Sequence, residues 1–318
     1  MAAAAILAGV PVGGPTPVVL MGALNVSPES FYTGSVHRLA ADLVSAALVM
    51  VEAGAALIDV GARSTAPYRA TAVGEDEERD RLARALEALA GKVPVPISAD
   101  TARARVARAA LDAGARVIND VSGLRDPSMG ALVRERGVGL ILMASPERAG
   151  GGGPSSTTLS TTVSVPSARA RSGLPPEATG LRAAPAPRSS PVACVKRLLE
   201  AALERARAAG IAEEHLVLDP GLGFFRDEPV PWDEWDVEVL TGLGSLAALG
   251  RPLCVGVSRK SFIGAITRRD RPQERLAGSL AATTVAVLNG AALIRTHDVA
   301  ETLDAVRVAE RMRRAAGR

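Results

Sequence analysis

Eight times along this chain a short aliphatic run stops at a polar or glycine position and gives way to a segment of helical periodicity. The runs are residues 18–24 stopping at Asn25, 56–60 leading into Gly61, 95–99 stopping at Asp100, and 116–118 stopping at Asn119. The others are 139–143, 216–218 stopping at Asp219, 253–257 stopping at Ser258, and 292–294 stopping at Arg295. Aliphatic runs of this length read as strands buried on both faces, the condition of parallel strands covered by helices. Between them, segments such as 38–52, 75–90, 103–113 and 299–314 space apolar residues three and four apart, and Gly54 and Gly210 supply stops. Eight strand–helix units predict an α/β chain folded as a single (β/α)8 TIM barrel. An open doubly wound sheet would more often carry Gly-x-Gly-x-x-Gly after its first strand, and that turn is absent here.

The barrel is assigned to residues 16–144 and 191–314. Residues 1–15 are small and read as a flexible leader. Residues 145–190 break the rhythm with a four-glycine run at 150–153, Ser/Thr runs and Pro/Ala/Arg stretches. Such composition cannot bury a core and predicts a disordered, low-complexity insertion after strand 5. Without leader and insertion, the remaining length is near the size typical of a barrel, about 250 residues.

Composition excludes several classes. The net charge is +3, yet the excess sits in the insertion, which holds five Arg against two Glu. The rest balances, and no basic stripe interleaved with aromatics appears, so nucleic acid is not an expected partner. No uninterrupted apolar run approaches 18 residues and no basic region precedes residue 20, so neither a membrane span nor a secretory signal is expected. Cys194 and Cys254 lack metal-type spacing and read as free thiols in a reducing cytoplasm.

A barrel of this kind places its chemistry at the C-terminal ends of its strands. The residues there are Asn25, Ser64, Thr65, Asp100, Asn119, Asp219, Lys260, Arg295 and His297. Lys260 stands out because the chain has 34 Arg and only 3 Lys, and a strand end that uses Lys where Arg is the habit suggests a need for a compact, tunable ammonium. Asp100, Asn119 and Asp219 offer acceptors and one amide to a flat ligand rich in N–H donors, such as a pterin or purine. A single Asp at a strand end can equally cap the next helix; three facing one mouth weaken that reading. Arg295 and His297 follow the eighth strand, where barrels often bind phosphate. Asn25 is a candidate Mg2+ ligand beside a diphosphate, because Mg2+ takes few protein oxygens.

Seven segments, in order, resemble the dihydropteroate synthase family: Met21-Gly22-Ala23-Leu24-Asn25-Val26-Ser27-Pro28-Glu29-Ser30-Phe31, Ile58-Asp59-Val60-Gly61-Ala62-Arg63-Ser64-Thr65, Ser98-Ala99-Asp100-Thr101, Ile118-Asn119-Asp120-Val121-Ser122-Gly123, Leu218-Asp219-Pro220-Gly221-Leu222-Gly223-Phe224, Val257-Ser258-Arg259-Lys260-Ser261 and Arg295-Thr296-His297-Asp298. The resemblance implies a transferase that joins a dihydropterin-methyl diphosphate to an arylamine (p-aminobenzoate), releases diphosphate, uses Mg2+ and serves folate biosynthesis. It implies that Asp100, Asn119, Asp219 and Lys260 hold the pterin. Asn25, Arg63, Ser64, Thr65, Ser258, Arg259, Arg295 and His297 would face diphosphate and arylamine, with Lys260, Asn25, Arg295 and His297 central to catalysis. Dimers are frequent in the family, so a homodimer is the assembly the resemblance allows.

The chain departs from the family in the loops. Ala66 stands where Arg usually follows the Ser-Thr pair, which leaves Arg63 or Arg69 to supply that charge, and Tyr32-Thr33 replaces Ser-Asp. These versions look like divergent members from archaea and one-carbon-metabolising bacteria, some of which take a ribofuranosylaminobenzene phosphate toward tetrahydromethanopterin. Other readings are a pterin-binding methyltransferase, which needs no anion site, and a non-catalytic pterin-binding relative.

Overall fold

Strand formation here follows from residues that are apolar on both faces, since one face must pack on helices and the other must fill a closed interior. The computed structural model describes residues 3–26, 36–63, 73–146, 190–226 and 228–317, with the backbone alone at 36–39. Ten strands occur among them. β1 (Ala4–Leu7) and β2 (Val10–Gly13) form an antiparallel hairpin. The other eight are β3 (Val19–Asn25), β4 (Leu57–Gly61), β5 (Ile97–Asp100), β6 (Val117–Asp120), β7 (Gly139–Met143), β8 (Leu216–Asp219), β9 (Leu253–Val255) and β10 (Ala291–Thr296). They are all parallel and close in the order β10-β3-β4-β5-β6-β7-β8-β9, as the sequence pattern predicts.

The described helices are α1 (Val36–Glu52), α2 (Glu75–Leu89), α3 (Ala104–Asp112), α4 (Pro127–Arg136), α5 (Pro191–Ala208), α6 (Trp232–Thr241), α7 (Ser261–Thr267), α8 (Leu276–Leu288) and α9 (Val299–Ala315). Two differ from the periodicity. One, α6, begins at Trp232 and passes into a 3-10 segment, Leu243–Leu249. Its start is drawn inward by Trp235, which is buried and stacks on Phe225 with centroids 4.9 Å apart. The short α7, two turns long, has too few residues to show a period and was not anticipated.

Alternation along the strands separates two cores. Leu20, Ile58, Ile118, Leu142, Leu218 and Val255 pack outward with the helices. Met21, Leu57, Val117, Ile141, Val217, Cys254 and Leu293 fill the barrel interior. The hairpin joins this inner cluster through Ala5, Leu7 and Val12, all buried. Within the expected leader 1–15, residues 4–13 are therefore not flexible chain: the hairpin packs into the N-terminal end of the barrel. A Cβ at Gly139 would lie 2.8 Å from Leu7 Cδ2, so the absence of a side chain there makes room for the plug. Residues 147–189, nearly all of the expected insertion, lie outside the described residues. The insertion follows the fifth barrel strand, which is the seventh strand of the chain because the hairpin adds two.

Candidate active site

The inward alternation that fills the lower barrel with aliphatics carries polar groups one step higher. Two residues beyond Leu57, Val117, Val217 and Leu293 stand Asp59, Asn119, Asp219 and Arg295. Asp100 is paired in register with Gly61 on one side and Asn119 on the other. These side chains therefore form a polar layer on an apolar base, and the period of two sets their common direction.

The centre of the layer is charged. Arg295 Nε donates to Asp59 Oδ2 at 2.6 Å, and its Nη2 lies 3.4 Å from Asp100 Oδ2. Asn119 Nδ2 donates to the same Asp59 oxygen at 3.1 Å. Burial lowers the affinity of Arg295 for its proton, but the two carboxylates outweigh it and hold the guanidinium firmly charged. Asp100 is pushed up to about 7, first by burial and then by the negative charge of Asp59, against Arg295 and Arg63. Asp59 Oδ1 and Asp100 Oδ1 are buried without a hydrogen-bond partner. Buried acceptors are rarely left so, and a ligand presenting N–H groups would satisfy both.

Lys260 sits against the loop after β8. Its Nζ lies 4.8 Å from the centre of the Phe224 ring, and its side chain packs on Gly223, where a Cβ would come within 3.1 Å of Lys260 Cδ. Gly223 has φ +83°, a conformation that favours glycine, and its N–H donates to Asp236 Oδ1 at 2.7 Å. Gly221 N–H likewise donates to Asp219 Oδ1 at 2.7 Å. Burial lowers the Lys260 ammonium from its ordinary value while Asp219 opposes the change. Burial raises Asp219, and it pushes Asp236 up to about 6.

The turn that delivers Lys260 is held from several sides. Arg259 adopts φ +59°, unusual for a non-glycine residue. Its N–H donates to Ser279 Oγ at 2.8 Å, its carbonyl accepts from Arg275 Nη1 at 3.0 Å, and its Nε donates to Asp298 Oδ2 at 3.0 Å. Arg259, read from the sequence as an anion ligand, is thus paired with a carboxylate and braces the turn. Ser258 Oγ and His297 Nδ1 are 3.0 Å apart, and His297 Nε2 is 3.3 Å from Asn25 Nδ2. The loops after the seventh and eighth barrel strands do converge, with Asn25 beside them. His297 is pushed down to about 4 by burial and by the nearby charges of Arg295 and Arg259, so it is neutral at neutral pH. Arg295 itself is drawn into the centre of the layer by Asp59 and Asp100.

Of the expected site residues, Asn25, Arg63, Asp100, Asn119, Asp219, Ser258, Lys260, Arg295 and His297 stand around one mouth. Ser64 and Thr65 lie outside the described residues, as do Ala66, Tyr68, Tyr32 and Thr33. Two site residues escaped the sequence reading. Asp59 lies inside an apolar run, but its position two residues before Gly61 placed it on the inward face. Asp236 comes from α6, and no spacing links it to Lys260. Among the described residues no group of three acidic, His or Cys side chains could hold a metal ion. Asn25 alone suits Mg2+ only as a minor ligand to an ion held mainly by substrate oxygens and water.

Comparison with known proteins agrees with this geometry. The family described as pterin binding enzyme matches residues 21–297. Dihydropteroate synthase of Escherichia coli strain K12 is 36% identical over 292 residues, 92% of this chain and 90% of that protein. A structure of the Xanthomonas albilineans dihydropteroate synthase with 4-aminobenzoic acid superposes with a TM-score of 0.77 at 34% identity, covering 98% of each chain. The same enzyme in complex with 7,8-dihydropteroate gives 0.74 at 33% identity, covering 97% of this chain and 98% of that one. With eight parallel strands closed into a barrel, a polar layer of acceptors at their C-terminal ends and these relatives over nearly the whole length, the chain belongs to the dihydropteroate synthase family of pterin-binding transferases.

Proposed function

We propose that this protein condenses 6-hydroxymethyl-7,8-dihydropterin diphosphate with p-aminobenzoate, releasing diphosphate, in folate biosynthesis. The observation that carries the substrate assignment is the pair of unpartnered buried oxygens, Asp59 Oδ1 and Asp100 Oδ1, beside Asn119 and Lys260. A reduced pterin presents several N–H donors along one edge of a flat ring, together with ring nitrogens and a carbonyl that accept. Asp100, Asn119 and Asp219 bind the donor edge, and the Lys260 ammonium donates to an acceptor.

In the reaction the arylamine nitrogen attacks the methylene carbon, the bond from that carbon to the diphosphate oxygen breaks, and the nitrogen gives up one proton. An arylamine is a weak nucleophile, so the barrier falls mainly through orientation and through stabilisation of charge on the departing group. The acceptor floor fixes the ring and thereby the methylene carbon. His297, neutral and held between Ser258 and Asn25, lines the diphosphate end. Mg2+, when bound with the diphosphate and Asn25, supplies further neutralisation of the leaving group. No covalent nucleophile is required.

No helix among the described residues is long and apolar enough to cross a membrane. The test is diphosphate release with Mg2+ and either p-aminobenzoate or ribofuranosylaminobenzene phosphate as acceptor. Turnover with p-aminobenzoate supports the assignment. Turnover with the ribosylated amine alone moves the enzyme to tetrahydromethanopterin synthesis, and pterin binding without turnover on either overturns the synthase reading.

A further inference from the structure

Glu78 is the fourth residue of α2, in a run of acidic residues, yet it is fully buried. Its Oε1 accepts from Thr101 Oγ1 at 2.7 Å. Its Oε2 accepts from Arg103 Nη1 at 2.8 Å and lies 3.2 Å from Arg63 Nε. Arg103 Nη1 also donates to Val73 O at 3.3 Å. One carboxylate therefore ties together the residue after Asp100, the end of β4 and the chain just before α2.

Arg63 has the parity of the inward-facing residues, following Leu57, Asp59 and Gly61. Gly61 is flanked by the site: a Cβ there would lie 3.6 Å from Asp100 Oδ2 and 3.7 Å from Asn25 Oδ1. The Arg63 side chain is 23% exposed, so it is anchored at one end and open at the other. Charge balance singles it out among the arginines of the mouth. Arg295 is held by Asp59 and Asp100, and Arg259 by Asp298. Arg63 shares its carboxylate with Arg103, so the trio keeps a net positive charge.

We propose that Glu78 is a positioning residue that fixes Arg63 as the cation facing the diphosphate end of the mouth. The inference rests on the synthase reading above and goes beyond it in naming the group that sets the guanidinium. The buried carboxylate is fixed by two hydrogen bonds, from Thr101 and Arg103. Its charge, 3.2 Å from Arg63 Nε, holds that guanidinium by ion pairing and leaves the Nη groups to meet phosphoryl oxygens in the forked geometry that Arg favours.

The experiment compares Glu78→Gln, Arg63→Ala and the double variant of the full chain, using inorganic diphosphate as a product inhibitor and a diphosphate-free hydroxymethylpterin as a control ligand. Glu78→Gln keeps the shape and the Thr101 hydrogen bond while losing the charge. The inhibition constant for diphosphate is expected to rise about tenfold in each single variant, with no further rise in the double variant, while the control ligand binds unchanged. Unaltered diphosphate inhibition in folded Glu78→Gln, or effects that multiply in the double variant, would overturn the proposal. Should the Gln variant not fold, Glu78→Asp serves, because it keeps the charge but shortens the reach; diphosphate inhibition as strong as in the unsubstituted chain would then count against the positioning role. Turnover by the unsubstituted chain tests the synthase reading separately, and only the ratios between variants test this one.

Discussion

Asp59 Oδ2 and Arg295 Nε lie 2.6 Å apart, joining β4 to β10 across the intervening β3. The pair sits in the middle of the polar layer, where Asp59 also accepts from Asn119 and Arg295 also reaches Asp100. A buried ion pair is costly to form and costlier to break on one side only, because the remaining charge is left without its partner.

Asp59→Asn is therefore expected to destabilise the fold by about 3 kcal/mol, somewhat relieved by the contact of Arg295 with Asp100. Urea unfolding followed by circular dichroism measures this. The same variant removes the negative charge that helps hold Asp100 near 7, so the Asp100 carboxyl should titrate lower, as carboxyl 13C chemical shifts would record. An unchanged Asp100 titration would mean that burial alone sets its value.

Lys260→Met keeps much of the side-chain volume and removes the ammonium. The expected outcome is a loss of about 100-fold or more in kcat/KM for the pterin substrate, the size of effect seen when one well-placed donor is removed from a dry site. Gly223→Ala should act on the same group indirectly. Its added Cβ meets Lys260 at 3.1 Å and its φ of +83° strains any side chain, so weakened pterin binding is expected by calorimetry even though the ammonium remains.

Asp236 makes stability depend on pH in a defined direction. Its carboxyl titrates at about 6 in the fold and, when exposed on unfolding, near the ordinary carboxylate value. Between these values the folded state binds the extra proton, so this contribution favours folding at low pH and is lost as pH rises through about 6. Asp236→Asn keeps an oxygen for Gly223 N–H and cannot titrate. The variant is expected to lose less stability than the unsubstituted chain between pH 4 and 7, by up to roughly 3 kcal/mol, in unfolding curves taken across that range. His297 contributes with the opposite sign, because its folded value of about 4 lies below its ordinary one and its contribution falls away as pH drops from about 6.5 toward 4.

Leu7→Ala tests the hairpin. Its side chain is wholly buried in the inner cluster, at the end of the barrel away from the polar layer. A stability loss of about 2–5 kcal/mol is expected, with KM for both substrates unchanged. A flexible leader would give no loss at all.

The barrel was legible in the sequence because each strand is an unbroken aliphatic run with a sharp stop, and eight such units of this size have few other ways to bury both faces. Asn25, Asp100, Asn119, Asp219 and Arg295 were legible for the same reason, since each lies at such a stop. The period of two also marks Asp59, since the parity that links it to Leu57 aims its carboxylate at the mouth. Other features belong to the tertiary structure alone. Residues 3–13 are too small and apolar to announce a hairpin, and only the open end of a barrel gives them something to plug. Glu78 reads as one acid in a solvated helical turn until α2 packs it under Arg63, Arg103 and Thr101. Arg259 and Arg295 are alike in sequence as strand-end arginines, yet one braces a turn against Asp298 and the other sits between Asp59 and Asp100. The chain order decides which residues reach a strand end, whereas the charge that each one meets there comes from elements distant in sequence and is decided only when the barrel closes.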